Sequence, residues 1–437
     1  MLRVAGLLLI LACLGAMLAP VALAWSQYAV RESSLGVYGP QNIGHGPAWG
    51  GVLRFTESPP EITVVENTAE YVFAQRMIFH IEVSGPADIT QVVLVYRTSD
   101  SPGTSVETLH FSPSPRVRLQ FVRDLQTYYL KPFVTVTYWW IIADATGRRV
   151  RTTPQALTYA DDRFAWETLE AEGLFVHWYQ GDLAFGQAAL DIAVQAVTEI
   201  GSQLGATLPH PTHIYIYATT ADLQGALAPY ERVWVGGQTF PEIAVTLVSI
   251  PPGSQAGPAL RRDIPHEITH LLLYQVMGRA FYAHLPNWLN EGLAVANEMR
   301  PNPEYDLLVQ EALAADQLLP LDVLCGAFGA DPQEAMLSYA QSASLVRYIR
   351  NRYGNEGIRA LVAAYADGTS CRGGVERALG LTLAELEREW QNSLRPRNLW
   401  ATLFGQNWPW LLLLAVPLAL PLLFLGGEEY HNSTTMV

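Results

Sequence analysis

The residues best suited to chemistry are His266-Glu267-Ile268-Thr269-His270. Histidines four positions apart share one face of a helix, so both imidazoles can reach a single cation. Glu267 lies beside that face, where its carboxylate can reach a water on the cation. Multiplied residue frequencies give about one such motif in seventy chains of this length and composition. Two ring nitrogens do not complete a site. A third ligand must come from another element, and a fourth position must stay open for water. Glu291, twenty-one positions after His270 in Trp288-Leu289-Asn290-Glu291-Gly292-Leu293-Ala294, is the candidate. Glu298 comes two helical turns later and is a candidate outer partner for a ligating histidine. His210 and His213 bracket Pro211 ahead of a strand, so their rings need not converge. His284 reads as a loop histidine, and His45, His80, His110, His177 and His431 have no partner pattern.

These residues need helices to hold them. A broad apolar stripe of Ile264, Ile268, Leu271, Leu272 and Leu273 predicts a helix over about 259–277. Asp263 is placed to cap its start, with Pro265 in the first turn. Leu285-Pro286-Asn287 makes the turn into a second helix over about 287–299. Further helices are expected over 183–204, 304–316, 332–352, 355–366 and 382–394, with Gly278 and Gly354 at helix ends. Strands are expected over 174–179, 214–218 and 243–250. A strand-containing half leading into a helical half is an α+β domain, spanning about 161–397.

Ahead of it, about 50–160 reads as short runs of Val, Ile, Tyr, Phe and Thr over 73–83, 89–96, 105–111, 116–121 and 133–143. Asp144-Ala145-Thr146-Gly147 looks like a hairpin loop. The spacing predicts a β-sandwich of immunoglobulin or fibronectin type with no chemistry of its own, a spacer or docking module.

The two motifs together resemble those of the gluzincin metallopeptidases, the peptidase MA-like group that includes the M1 aminopeptidases. The likeness is specific over Pro265 to Glu298 and diffuse over about 174–390. It implies a zinc-dependent hydrolase of peptide bonds, with one Zn2+ per chain. His266, His270 and Glu291 would be the metal ligands, and Glu267 the general base. The group also uses a later Tyr, His or Arg to stabilise the oxyanion, which points to Tyr339 in Ser338-Tyr339-Ala340. The M1 aminopeptidases carry G-x-M-E-N before the zinc helix. Here the region reads Gly236-Gly237-Gln238-Thr239-Phe240-Pro241-Glu242, without the methionine and asparagine. That favours an endopeptidase over an aminopeptidase and leaves Glu242 a weak candidate for amine binding. The strand at 243–250 is the expected edge for pairing with an extended peptide. Two other readings fit the same residues: a zinc-binding adhesion or scaffold protein that hydrolyses nothing, and a zinc hydrolase of non-peptide bonds.

Composition narrows the setting. The 437 residues hold 27 Lys+Arg against 41 Asp+Glu, a net charge of −14, which argues against nucleic acid as a partner. Half the chain is hydrophobic and 16% is charged, too apolar for disorder. Residues 1–24 read as an export signal, with Arg3, an apolar run over 4–18 and Ala22-Leu23-Ala24 as a cleavage site. An uncleaved anchor and a lipoprotein signal at Cys13 are the other readings, and each of the three would export the domains after it. Trp408 to Leu425 has no charge, and 405–426 reads as a transmembrane helix before a short tail over 427–437. Arg395 and Arg397 before it and Glu428 and Glu429 after it oppose the orientation the signal sets, but large domains translocate largely regardless of charge. The expectation is a single-pass protein of the cell membrane with its catalytic domain outside and a peptide or protein as substrate. Cys325 and Cys371 would then meet an oxidising compartment and could pair.

Overall fold

The computed structural model describes residues 61–209, 211–227 and 236–395. The expected export signal, the 405–426 segment, the 427–437 tail, the start of the 50–160 region and His210 lie outside these residues.

The first region is all strand: β1 (Thr63–Val72), β2 (Arg76–Thr98), β3 (Ser105–Thr108), β4 (Ser114–Asp124), β5 (Val134–Asp144), β6 (Arg149–Arg151) and β7 (Gln155–Tyr159). The two runs expected over 73–83 and 89–96 are one strand, β2. Gly85-Pro86-Ala87 lies at its middle, where the pairing register shifts between Ser84 and Ile89. Before the shift β2 pairs with β1 and β4; after it, mainly with β3 and β5. All seven strands are therefore joined through β2 into one hydrogen-bonded sheet. Phe79 from the first half of β2 lies 5.5 Å from Tyr96 of the second half and 5.1 Å from Tyr138 of β5. Side chains from the two halves of the sheet thus meet in one apolar core. β1 was not expected, because Glu66-Asn67-Thr68-Ala69-Glu70 has weak strand propensity. Tertiary partners compensate: Asn67 Oδ1 accepts from the buried Trp140 indole at 3.0 Å.

The second region begins with β8 (Glu167–Ala171), β9 (Leu174–Trp178), β10 (Thr212–Tyr217), β11 (Gly237–Phe240) and β12 (Val245–Ser249), in the spatial order β11-β12-β10-β9-β8. The central three are parallel, and β8 and β11 pair antiparallel at the two edges. The expected edge strand is thus an interior one, β12, and the edge position belongs to β11. Strand alternation splits the sheet's two faces. Val176, Ile214 and Ile216 enter the core under the helices, whereas Tyr215 and Tyr217 join the core of the first sheet. Phe133 stacks on Tyr215 at 3.5 Å between ring centres. The fully buried Asp161 takes two bonds from the Arg163 guanidinium, one from the Arg163 backbone N–H and one, 2.9 Å long, from Tyr217. The strand region and the α+β region therefore share packing.

The helices are α1 (Leu183–Leu204), α2 (Thr220–Gln224), α3 (Ala256–Met277), α4 (Asn287–Ala296), α5 (Glu304–Ala314), α6 (Leu321–Leu324), α7 (Pro332–Ala366), α8 (Cys371–Leu379) and α9 (Leu383–Leu394). α1 spans the expected residues because both its ends are signalled locally. Asp182 accepts from Phe185 N–H at 2.9 Å, and Gly205 takes the left-handed conformation at φ 70°. Among the described residues, α1 is the one helix long and apolar enough to cross a membrane, and it packs as a core helix under the sheet. α7 covers both helices expected over 332–352 and 355–366, broken at Gly354, whose φ of 68° is non-helical. Cys325 and Cys371 form a disulfide closing a 46-residue separation. By loop-closure entropy such a link contributes about 4 kcal/mol.

Behind the sheet's first-region face lies a chain of neutral rings. Thr168 Oγ1 is 2.9 Å from His177 Nδ1, and His177 Nε2 is 3.0 Å from His213 Nδ1. Burial, and after it the neighbouring His213, pushes the His177 imidazole down to about 3. A folded-state value below the unfolded one means that the unfolded chain binds the proton better. Stability from this residue is present above about pH 6.5 and falls as pH drops toward 3. Urea unfolding of wild type and His177→Gln across pH 7 to 4 should show wild type losing stability relative to the variant, on the order of 3–5 kcal/mol in the acid limit. Parallel pH profiles would refute the assignment.

Candidate metal centre

The helix that carries the motif starts earlier than its capping signal suggests. α3 begins at Ala256, so Asp263 is an interior residue. Its carboxylate binds the neighbouring Arg262 at 2.6 and 3.1 Å. Pro265 likewise sits inside the helix, past its first turn. Ile264, Ile268, Leu271 and Leu272 are buried in the core shared with α1, which fixes the rotation of α3 and aims His266 and His270 the other way. After the Tyr282–His284 turn and Pro286, α4 packs back against α3 and brings Glu291 to the same point.

The ligand atoms of His266, His270 and Glu291 all lie within 4.8 Å of one another, the only such group of three among the described residues. Glu291 Oε2 is 3.6 Å from His266 Nε2 and 3.7 Å from His270 Nε2. Each ring is held from behind. His266 Nδ1 is 3.1 Å from Glu298 Oε1, and His270 Nδ1 is 3.1 Å from Asn290 Oδ1. With oxygen acceptors behind both Nδ1 atoms, each ring is set to donate from Nδ1 and turns its Nε2 toward Glu291. Burial disfavours a charged His266, yet Glu291 and Glu298 hold its imidazole well above the ordinary value. The pocket therefore attracts positive charge. Two imidazoles, a carboxylate and outer oxygen partners are the donor set of a catalytic zinc site, so these residues fit that ion.

Glu267 is buried and points beside this group. Burial pushes its carboxyl up, against the pull of His270, His266 and the Thr239 hydroxyl. Thr239 Oγ1 donates to Glu267 Oε2 at 2.6 Å from the edge strand β11. Gly237, two residues earlier on β11, gives Glu267 its room, since a Cβ there would overlap Oε1. Glu298 does not lie on α4 as expected, because the helix ends at Ala296. It reaches His266 from the turn beyond the helix end.

A cavity of about 380 Å3 opens beside these groups, lined in part by Gly237, His266, Glu267, Glu298, Tyr305 and Tyr339. Tyr339 thus shares a cavity with His266 and Glu267, and its ring meets Phe328 edge-on at 5.2 Å. Burial, then Glu298, pushes the Tyr305 phenol up to about 12, so it stays neutral. Tyr282 is held far above its usual value by burial and by Glu291 and Glu267, with Asn290 as hydrogen-bond partner. His284 is exposed and outside the group, and Glu242 pairs with Lys131 at 3.3 Å. Sequence reasoning missed Thr239, Asn290, Tyr282 and Tyr305. Only Asn290 had a signal, its place directly before Glu291.

Residues 192–396 match the family model of the Peptidase MA superfamily. The matched stretch contains His266, Glu267, His270 and Glu291 and supports a peptidase-like hydrolase domain of gluzincin type, a superfamily typically dependent on zinc. Among solved structures, a catalytically inactive OgpA from Akkermansia muciniphila in complex with an O-glycopeptide is 11% identical, with a TM-score of 0.19. That alignment covers 25% of this chain and 31% of OgpA, so the chain spans about a third of its length. A bromine derivative of BhCBM56 is 8% identical over 23% of this chain and 96% of its own, with a TM-score of 0.17. Scores this low carry no argument. No curated protein matches.

Gly292 lets the two helices around Glu291 approach. A Cβ there would lie 2.6 Å from Ser342 O and 2.8 Å from Val346 Cγ2 of α7. Gly292→Ala should destabilise the fold by about 1–3 kcal/mol through this overpacking. Chemical denaturation would read the loss, and an unchanged midpoint would refute the tight packing of α4.

Proposed function

We propose that this protein is a zinc-dependent metallopeptidase, exported and tethered to the cell membrane by the 405–426 segment. The observation that carries the reading is the convergence of His266, His270 and Glu291 with Glu267 beside them. His266, His270 and Glu291 would hold a zinc ion, which when bound would supply Lewis acidity toward a water and a carbonyl.

The chain's own residues do the rest. Thr239 holds Glu267 Oε2, leaving Oε1 toward the space that Gly237 leaves open. Glu267 takes the proton from the attacking water and passes it to the leaving amine. Burial raises its affinity for that proton. Tyr339, in the same cavity, is the first candidate to donate to the developing oxyanion, and Tyr282 the second. Among the described residues β11 is the edge strand beside Glu267, and an extended peptide would add there as a further strand. Glu242 is already paired with Lys131, which weakens it as a grip for a free amine and favours endopeptidase action. The Cys325–Cys371 disulfide supports an oxidising, extracytoplasmic setting.

Purified protein should hold about one zinc per chain and cleave peptides with blocked N-termini. Glu267→Gln should keep the zinc and the fold while losing at least 100-fold in kcat/KM on a peptide library. Undiminished turnover by that variant would remove Glu267 as the base. Cleavage restricted to free N-termini would make the enzyme an aminopeptidase.

A further inference from the structure

We propose that Arg350, on α7, is a positioning residue for the metal centre. It locks the exit of α4 through Asn297 and so keeps Glu298 on His266. The proposal rests on the reading of this centre as a zinc site.

The lock starts from Pro265, the residue before His266. A proline has no N–H, so inside a helix the carbonyl four residues back loses its partner. That carbonyl belongs to Arg261, and it accepts instead from Met299 N–H at 2.9 Å. Met299 is the residue after Glu298. On the other side, Asn297 Nδ2 donates to Thr269 Oγ1 at 3.3 Å, and Thr269 Oγ1 donates to Pro265 O at 2.8 Å. Both neighbours of Glu298 are therefore fastened to the motif helix, one to each side of Pro265. Between them, Glu298 Oε1 lies 3.1 Å from His266 Nδ1.

Asn297 is oriented from α7. Arg350 donates through one terminal nitrogen to Asn297 Oδ1 at 2.7 Å and through the other to Ala296 O at 3.5 Å. A forked cation at a helix C-terminus satisfies free carbonyls and suits the helix dipole. It also dictates which way the Asn297 amide faces. With Oδ1 held by Arg350, Nδ2 must turn to Thr269. Glu298 Oε2 is buried with no hydrogen-bond partner, so this carboxylate is kept in place by its flanking backbone and its one ring contact. Without Arg350, Asn297 can turn away, and the tether on one side of Glu298 is lost.

Outer partners of ligating histidines typically contribute 10- to 100-fold to metal affinity. The test is the rate of zinc loss to a chelator from the full chain, for wild type, Arg350→Met, Glu298→Ala and the double variant. Arg350→Met should speed zinc loss about tenfold, and Glu298→Ala by 10- to 100-fold. The double variant should lose zinc no faster than Glu298→Ala alone, because Arg350 acts through Glu298. A general loosening of the fold would instead multiply the two effects, and that result overturns the proposal, as does wild-type zinc retention in Arg350→Met. Asn297→Ala breaks the same relay with the guanidinium left in place and serves if Arg350→Met does not fold. Wild-type protein that binds no zinc would overturn the metal reading first and this one with it.

Discussion

Two imidazoles one helical turn apart do not by themselves make a metal site, because each ring has two nitrogens and can rotate either toward a cation. What fixes them here is a hydrogen bond on each far side: Glu298 behind His266 and Asn290 behind His270. Those bonds decide the tautomer and the ring angle, and so send both Nε2 atoms toward Glu291. The oxygens behind the rings come from α4 and the turn after it, not from the motif helix. The pairing of α3 with α4 is therefore the constraint on which the site depends.

The rest of the α+β region serves that pairing. α1 fills the opposite face of α3 with apolar side chains and fixes its rotation. α7 presses on α4 closely enough that position 292 admits only glycine without rearrangement. β11 delivers Thr239 to the buried carboxylate of Glu267. The disulfide reaches the same place, since Cys325 O accepts from Asn287 N–H at 3.3 Å, at the first residue of α4. A buried carboxylate needs such partners, because an unpaired one would be neutralised by a proton.

The strand region has a different relation to the centre. None of its residues belongs to the ligand group, but it covers the sheet's second face through Phe133 and Tyr215 and places Lys131 on Glu242. It meets the centre through the sheet that carries β11.

Much of this was legible in the sequence where a signal is local. Histidine spacing places ligands on one helical face, and an aspartate and a glycine bracket α1. A hairpin turn announces itself by its residues. The sequence also names Glu291 and Glu298, since both lie on a stretch that continues from the motif. It misreads whatever depends on partners far along the chain. Pro265 looks like a helix start because a proline inside a helix leaves a carbonyl bare, and only the folded chain shows Met299 satisfying it. β11 passes for a loop since four residues with two glycines nearby have little strand propensity, and its pairing with β12 decides otherwise. Thr239 and Arg350 have no motif, because a hydrogen bond across 28 or 53 positions leaves no trace in spacing. The sequence determined which side chains could serve as ligands and base; tertiary packing alone decided which nitrogen, which oxygen and which strand face the candidate centre.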